Sequence, residues 1–134
     1  MLILILWFLN IRSGAELQIS LGNIKEAKGS IYVAVYDNES NFLIPEKVRD
    51  SKIVSVSNTG TMDIRFSNLP SGSYAISCFH DLNGNGKLDT NLFGIPLEPY
   101  GFSNNARPKF SAPNWAEVKF DLNKGKETQV LWLQ

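Results

Sequence analysis

The stretch GSYAISCFHD, Gly72 to Asp81, runs without a break into LNGNGKLD, Leu82 to Asp89, and the change of pattern at Asp81 decides the fold. Tyr74, Ile76 and Cys78 alternate with smaller or more polar neighbours. Successive side chains of an extended chain point to opposite faces, so this period of two predicts a half-buried strand. Beyond Asp81 the alternation stops and glycine and asparagine take over, which marks a tightly curled loop.

The same period of two extends outward along the chain. Strands are expected near Leu17–Ile24, Ser30–Tyr36, Lys52–Ser57, Met62–Asn68, Ala116–Leu122 and Glu127–Leu133, with Ser73–His80 as a seventh. Short alternating strands separated by turns predict an all-β fold: an antiparallel β-sandwich of about seven strands, immunoglobulin-like or prealbumin-like, with a long ordered loop cap. Lys28-Gly29, Asn58-Thr59-Gly60, Pro70-Ser71-Gly72 and Asn123-Lys124-Gly125 supply turn residues. The last of these is expected to close a hairpin between the final two strands. Asn41 to Asp50 breaks the alternation and predicts a short helical turn after Pro45.

The 134 residues suit one domain with one core. Thirteen Lys and Arg balance thirteen Asp and Glu without a block of like charge, so no electrostatic footprint for nucleic acid or anionic lipid is visible, and nucleic acid is not expected as a partner. The apolar run Leu2 to Leu9 is too short to span a bilayer as a helix, which takes about 20 residues. Followed by Ser13-Gly14-Ala15, it predicts a signal peptide over 1–15, although no Lys or Arg precedes it. The expectation is a mature domain over 16–134, periplasmic or secreted, without a transmembrane helix. Cys78 is the only cysteine, so no internal disulfide can form.

From Leu82 to Trp115 the chain has no alternation and holds four of the six prolines. Irregular excursions of that length in compact domains are usually functional or disordered. Phe93, Ile95, Leu97, Tyr100, Phe102, Phe110 and Trp115 predict that this segment folds back onto the sandwich as a cap over 82–115.

Counted from Asp81 as position one, side-chain oxygens fall at one, three, five and nine: Asp81, Asn83, Asn85 and Asp89. Gly86 takes the sharp turn at six, the Lys87 carbonyl stands at seven, and Leu88 is expected to point into the core. This is the odd-position spacing that wraps oxygen ligands around calcium. Position twelve, where an EF-hand carries a bidentate glutamate, is Leu92, so Asp89 or Glu98 would complete the shell. The competing reading is a bare, solvated turn capped by Asp81 and Asp89.

Other chemistry is weaker. Cys78 and His80 share a face of one strand, but parallel side chains two residues apart do not converge as a nucleophile and base. His80 instead suits a strand-end residue that orients the loop through Asp89 or Glu98. A zinc site of His80, Asp81 and Glu98 would have suitable atom types, against an oxygen-rich spacing that favours a harder ion. A metal-dependent hydrolase using Asp89, Glu98 and His80 is the alternative to a non-enzymatic binding or assembly module. Tyr100, Phe102, Asn104, Asn105 and Arg107 form a candidate surface for an envelope or extracellular ligand, protein or carbohydrate.

The ordered signature LPSGSYAISCFHDLNGNGKLDTNLFGIPLEPYGFSNN, with PKFSA after it and GSIYVAVYD before it, resembles a family of exported bacterial proteins catalogued as domain of unknown function 2141. That resemblance implies an exported β-sandwich and implies no activity. More loosely, Leu69-Pro70-Ser71-Gly72-Ser73-Tyr74 is similar to the final hairpin of transthyretin-like and collagen-adhesin B-type sandwiches. Adhesin repeats of that kind carry similar calcium loops. In physical terms, the Tyr74 ring can be buried while its hydroxyl bonds across the corner.

Overall fold

A computed structural model describes residues 14–134. Eight strands form two sheets around one apolar core. The strands are β1 (Ala15–Ile24), β2 (Ser30–Tyr36), β3 (Asp50–Ser55), β4 (Gly60–Leu69), β5 (Gly72–Asp81), β6 (Tyr100–Phe102), β7 (Phe120–Leu122) and β8 (Lys126–Trp132). The smaller sheet has the order β4-β1-β8; the larger has β3-β2-β5-β6, with β7 also on β5. Of the expected signal peptide, residues 1–13 lie outside those described, and Ala15 opens β1 opposite Leu69. Cleavage after Ala15 would remove one residue from that strand.

Alternation builds the core. Leu17, Ile19 and Leu21 of β1, with Ile64 and Phe66 of β4 and Leu131 of β8, are buried from one wall. Ile31, Val33 and Val35 of β2 and Tyr74, Ile76 and Cys78 of β5 meet them from the other. At roughly 25 cal/mol per Å² of apolar surface removed from water, this burial is the main stabilising term, and no disulfide assists it. The Tyr74 hydroxyl donates to the Pro70 carbonyl across the corner between β4 and β5, as expected.

Three features depart from the alternation pattern. Trp115–Val118 is a single helical turn, α1, so the expected strand at Ala116–Leu122 shrinks to β7. Asn114 caps that turn, its side-chain oxygen accepting the Glu117 N–H at 3.1 Å, and the apolar pair Trp115 and Val118 has helical spacing. Asn123-Lys124-Gly125 does not close a hairpin. β7 pairs with β5, while β8 crosses to the other sheet and runs parallel to β1 from Glu16↔Lys126 to Gly22↔Trp132. This places Leu122 and Leu131 in opposite walls of the core, which a hairpin in one sheet could not do. It also makes the β1–β8 pair the parallel exception among antiparallel ones.

The third departure is β6, a strand inside the expected irregular segment. β6 and β7 lie end to end along one flank of β5, on Ser77–Phe79 and Gly72–Tyr74 respectively. The gap between them leaves the Ile76 N–H without a ladder partner. Buried Ser103 fills it: its Oγ accepts that N–H at 3.0 Å and donates to the Val118 carbonyl. A buried amide with no acceptor would cost on the order of 1–3 kcal/mol, so this serine holds the seam of the larger sheet.

Candidate functional site

β5 delivers Asp81 to the loop. Because His80 and Asp81 are neighbours on a strand, their side chains leave opposite faces. His80 turns inward, fully buried, and its Nε2 lies 2.6 Å from the Lys28 carbonyl. A carbonyl only accepts, so that nitrogen carries the proton. Its backbone N–H donates to the Pro99 carbonyl at 2.8 Å. The expected contact of His80 with Asp89 or Glu98 is therefore corrected: the histidine braces the β1–β2 turn and the start of β6. The zinc arrangement of His80, Asp81 and Glu98 does not assemble, and among the described residues no three His, Cys, Asp or Glu groups converge.

Asp81 is 1% exposed, and its carboxylate curls the loop. Oδ1 accepts the Gly84 N–H at 3.1 Å and Oδ2 the Gly86 N–H at 2.9 Å. Gly84 and Gly86 both have φ near +75°, the left-handed backbone that glycine adopts without strain. The Asn83 oxygen accepts from the Asn85 N–H at 3.2 Å, and the Asn85 oxygen from the Lys87 N–H at 3.0 Å. Both asparagine amides donate to the carboxylate of Asp89. The Asn85 amide holds the Asp89 carboxyl below the usual carboxylate range, against partial burial that raises it, and the Asn83 amide adds to the lowering.

Glu98 returns from outside the loop. Thr90 bridges Pro96 and the Leu97 N–H donates to the Asp89 carbonyl at 2.7 Å, which turns the chain back on itself. Glu98, 7% exposed, then joins the two ends of the loop: Oε2 accepts the Leu82 N–H at 2.6 Å and Oε1 the Asp89 N–H at 3.0 Å. None of Asp81, Asp89 and Glu98 forms an ion pair among the described residues. What the loop offers an ion is oxygen: two carboxylates, two amide oxygens and the Lys87 carbonyl, with Glu98 as a clamp. That donor set fits a hard cation.

Sequence reasoning missed the buttress behind the loop. Gly29, at φ +65°, packs so closely that a Cβ would lie 2.0 Å from the Asp81 carbonyl oxygen. The signal was the Lys28-Gly29 turn, but its contact with Asp81 arises only through the β2–β5 pairing Ser30↔Asp81.

The outer face of the larger sheet is aromatic. Tyr32 stacks on Phe79 with centroids 4.9 Å apart, and Phe42 makes edge contacts with Tyr36, Phe102 and Trp115. A cavity of about 400 Å³ over Tyr32 and Phe79 is bordered by Lys87 and Leu88. Leu88 is half-buried there instead of entering the core, because the loop rides on the outer face of the sheet. A second cavity of about 530 Å³ shares Leu88 and lies between Phe93 and Ile95 on one arm of the cap and Phe110 on the other.

Tyr100 and Phe102 floor that second cavity, and the Arg107 guanidinium sits 4.4 Å from the Tyr100 ring centroid. Asn104 and Asn105 are spent on the fold. Asn104 donates to the Glu117 and Lys119 carbonyls; Asn105 donates to the Val130 carbonyl and accepts the Trp132 N–H. The expectation that Phe93, Ile95, Leu97, Tyr100, Phe102, Phe110 and Trp115 fold the cap back onto the sandwich is corrected in part. Tyr100, Phe102 and Trp115 do so, but Leu92, Phe93, Ile95, Leu97 and Phe110 are exposed. Asn91 accounts for part of this, since its oxygen accepts the N–H groups of Phe93 and Ile95 and turns the chain outward.

Cys78 is buried against the Gly101 carbonyl, 3.5 Å from its sulfur, and burial pushes the thiol up to about 12. It is not a thiolate nucleophile at neutral pH. Among the described residues no helix is long and apolar enough to cross a membrane.

Neither the curated proteins nor the solved structures include a match to this chain. A family model does match, over residues 19–130, from the second half of β1 to β8 and across the whole loop and cap. The chain therefore belongs to the family described as an uncharacterized protein conserved in bacteria (DUF2141).

Proposed function

We propose that this domain is a non-enzymatic binding or assembly module of the bacterial cell envelope, exported by its leader, whose loop takes up calcium and thereby orders the cap. One observation carries the reading. The odd-position oxygens of Asp81, Asn83, Asn85 and Asp89 are gathered into one closed loop, with Glu98 reaching back from the cap to hold both loop ends.

Asp81, Asn83, Asn85, Lys87 through its carbonyl, and Asp89 would hold the ion. Calcium would supply a positive charge in direct contact with carboxylates that form no ion pair among the described residues. Glu98 links that charge to the cap, because its carboxylate grips the amides of both Leu82 and Asp89 while its backbone leads into β6. The hydrolase alternative built on Asp89, Glu98 and His80 is not favoured: His80 is turned into the core on the Lys28 carbonyl, and both Glu98 oxygens accept backbone N–H groups.

The test is thermal. An ion that binds only the folded form stabilises it by RT ln(1 + [L]/Kd), about 2.7 kcal/mol at a hundredfold excess. Few carboxylates imply weak binding, on the order of 10⁻⁴–10⁻³ M. Millimolar calcium should raise the Tm of chelator-stripped protein, and chelator should reverse it. Asp89→Asn, which keeps the shape and removes a charge, should weaken the response. A stripped wild-type protein whose Tm ignores several millimolar calcium would refute the calcium part of the reading.

A further inference from the structure

We propose that Asn83 and Asn85 are sites of spontaneous deamidation, promoted by groups of their own loop, and that the reaction turns a loop closed on itself into one that needs a cation. The deamidation stands on the hydrogen bonds of the loop alone; only its consequence rests on the calcium reading.

Asn83 and Asn85 are the asparagines of this chain that precede a glycine. Glycine has no side chain to hinder its nitrogen, so an asparagine before it closes readily to a succinimide. Closure needs the following nitrogen held near the side-chain carbon, a base for its proton, and a donor for the oxygen that becomes negative. The loop supplies all three at both positions. The Asn85 N–H donates to the Asn83 side-chain oxygen at 3.2 Å and the Lys87 N–H to that of Asn85 at 3.0 Å, so each side-chain carbon shares one hydrogen-bonded ring with the nitrogen that attacks it. The same two N–H groups meet the developing oxyanions. The protons to be lost already point at a carboxylate: Asp81 Oδ1 accepts from Gly84 at 3.1 Å and Oδ2 from Gly86 at 2.9 Å. Both asparagines are exposed, so water reaches them.

In the reaction the Gly84 nitrogen bonds to the Asn83 Cγ and its proton passes to Asp81. The Cγ–Nδ2 bond breaks, and Nδ2 leaves as ammonia with that proton returned through water. Water then opens the ring at Cγ to give aspartate, or at the main-chain carbonyl to give isoaspartate. Gly86 and Asn85 react in the same way, and neither step uses an oxidant or a cofactor. The consequence turns on Asp89, whose carboxylate now accepts from both asparagine amides. Aspartate at both positions would replace those donors by charge and set like charges together unless a cation enters. More ligand charge is also what tightens a calcium loop.

The test is mass spectrometry of the mature chain held at neutral pH in chelator, with the sites assigned by peptide mapping. Amide loss should appear at Asn83 and Asn85 and run faster in the native protein than in guanidinium chloride. Asp81→Asn should slow it at least about tenfold, within what a positioned base contributes. Native loss no faster than in the unfolded chain, or no faster than at asparagines that do not precede glycine, overturns the proposal, and this comparison needs no variant to fold. The consequence is read separately, by the Tm of Asn83→Asp/Asn85→Asp. It should lie below wild type in chelator and rise at lower calcium concentrations than wild type needs. A double variant as stable as wild type in chelator, or isoaspartate as the sole product in wild type, overturns the switch. Amide loss with both proteins indifferent to calcium keeps the modification and removes the loop's ion; a calcium-raised Tm without amide loss does the reverse.

Discussion

Cys78 shows how far burial can change one side chain. Its thiol keeps its proton in the folded state up to about 12, against an ordinary value of 9.0 in the unfolded chain. The unfolded state therefore binds fewer protons between these values, and stability falls as pH rises, by about 1.4 kcal/mol per unit from this group. Urea midpoints between pH 9 and 10 should drop steeply for the wild type and less steeply for Cys78→Ala. Burial also raises the Tyr36 and Tyr74 hydroxyls, which adds to the alkaline loss at higher pH. Gly29 is the second residue on which much depends. Gly29→Ala would bring a Cβ to 2.0 Å from the Asp81 oxygen in a left-handed backbone, so a loss of at least about 2 kcal/mol is expected in urea unfolding. The importance of Cys78 as a buried apolar group was legible in the alternation of its strand. That of Gly29 was not, because its neighbour Asp81 is more than fifty residues away.

At the scale of elements, short strands are closed off by side chains acting as backbone. Ser103 fills the seam between β6 and β7, and Asn105 seals the free edge of β8, accepting from Trp132 and donating to the Val130 carbonyl. Exposed strand edges invite pairing with other chains. Asn105→Ala should lower the urea midpoint by about 1 kcal/mol with an unchanged slope, and sedimentation should show more self-association than for wild type. The asparagines of the segment Ser103–Asn105 suggested a ligand surface because amides suit ligands. They also suit frayed strand edges, and only the neighbouring β8 and α1 distinguish the uses. The β7 region was misread for a related reason: Trp115 and Val118 fit a helical turn, but four residues are too few for periodicity to decide between helix and strand.

For the whole molecule, the loop and cap form a layer outside the sandwich, tied to it through β5, β6 and Glu98. If calcium orders that layer, hydrogen exchange should slow at the amides of Leu82, Gly84, Gly86 and Asp89, which donate to the loop carboxylates, and stay unchanged in β1 and β4. Equal slowing in both sheets would instead indicate a global stabilisation with no special role for the cap. The sequence by itself determined the all-β class, the core positions in β1, β2 and β5, and the spacing of oxygens after Asp81. These depend on alternation and on neighbours within a few residues, where backbone geometry leaves little choice. Only the tertiary structure decided that β8 lies parallel to β1, that Glu98 returns to the loop, that His80 bonds to the Lys28 carbonyl and that Phe93 and Phe110 face water. Each of those outcomes depends on which distant strand or arm comes to lie alongside, and a side chain's burial is set by that partner as much as by its own polarity.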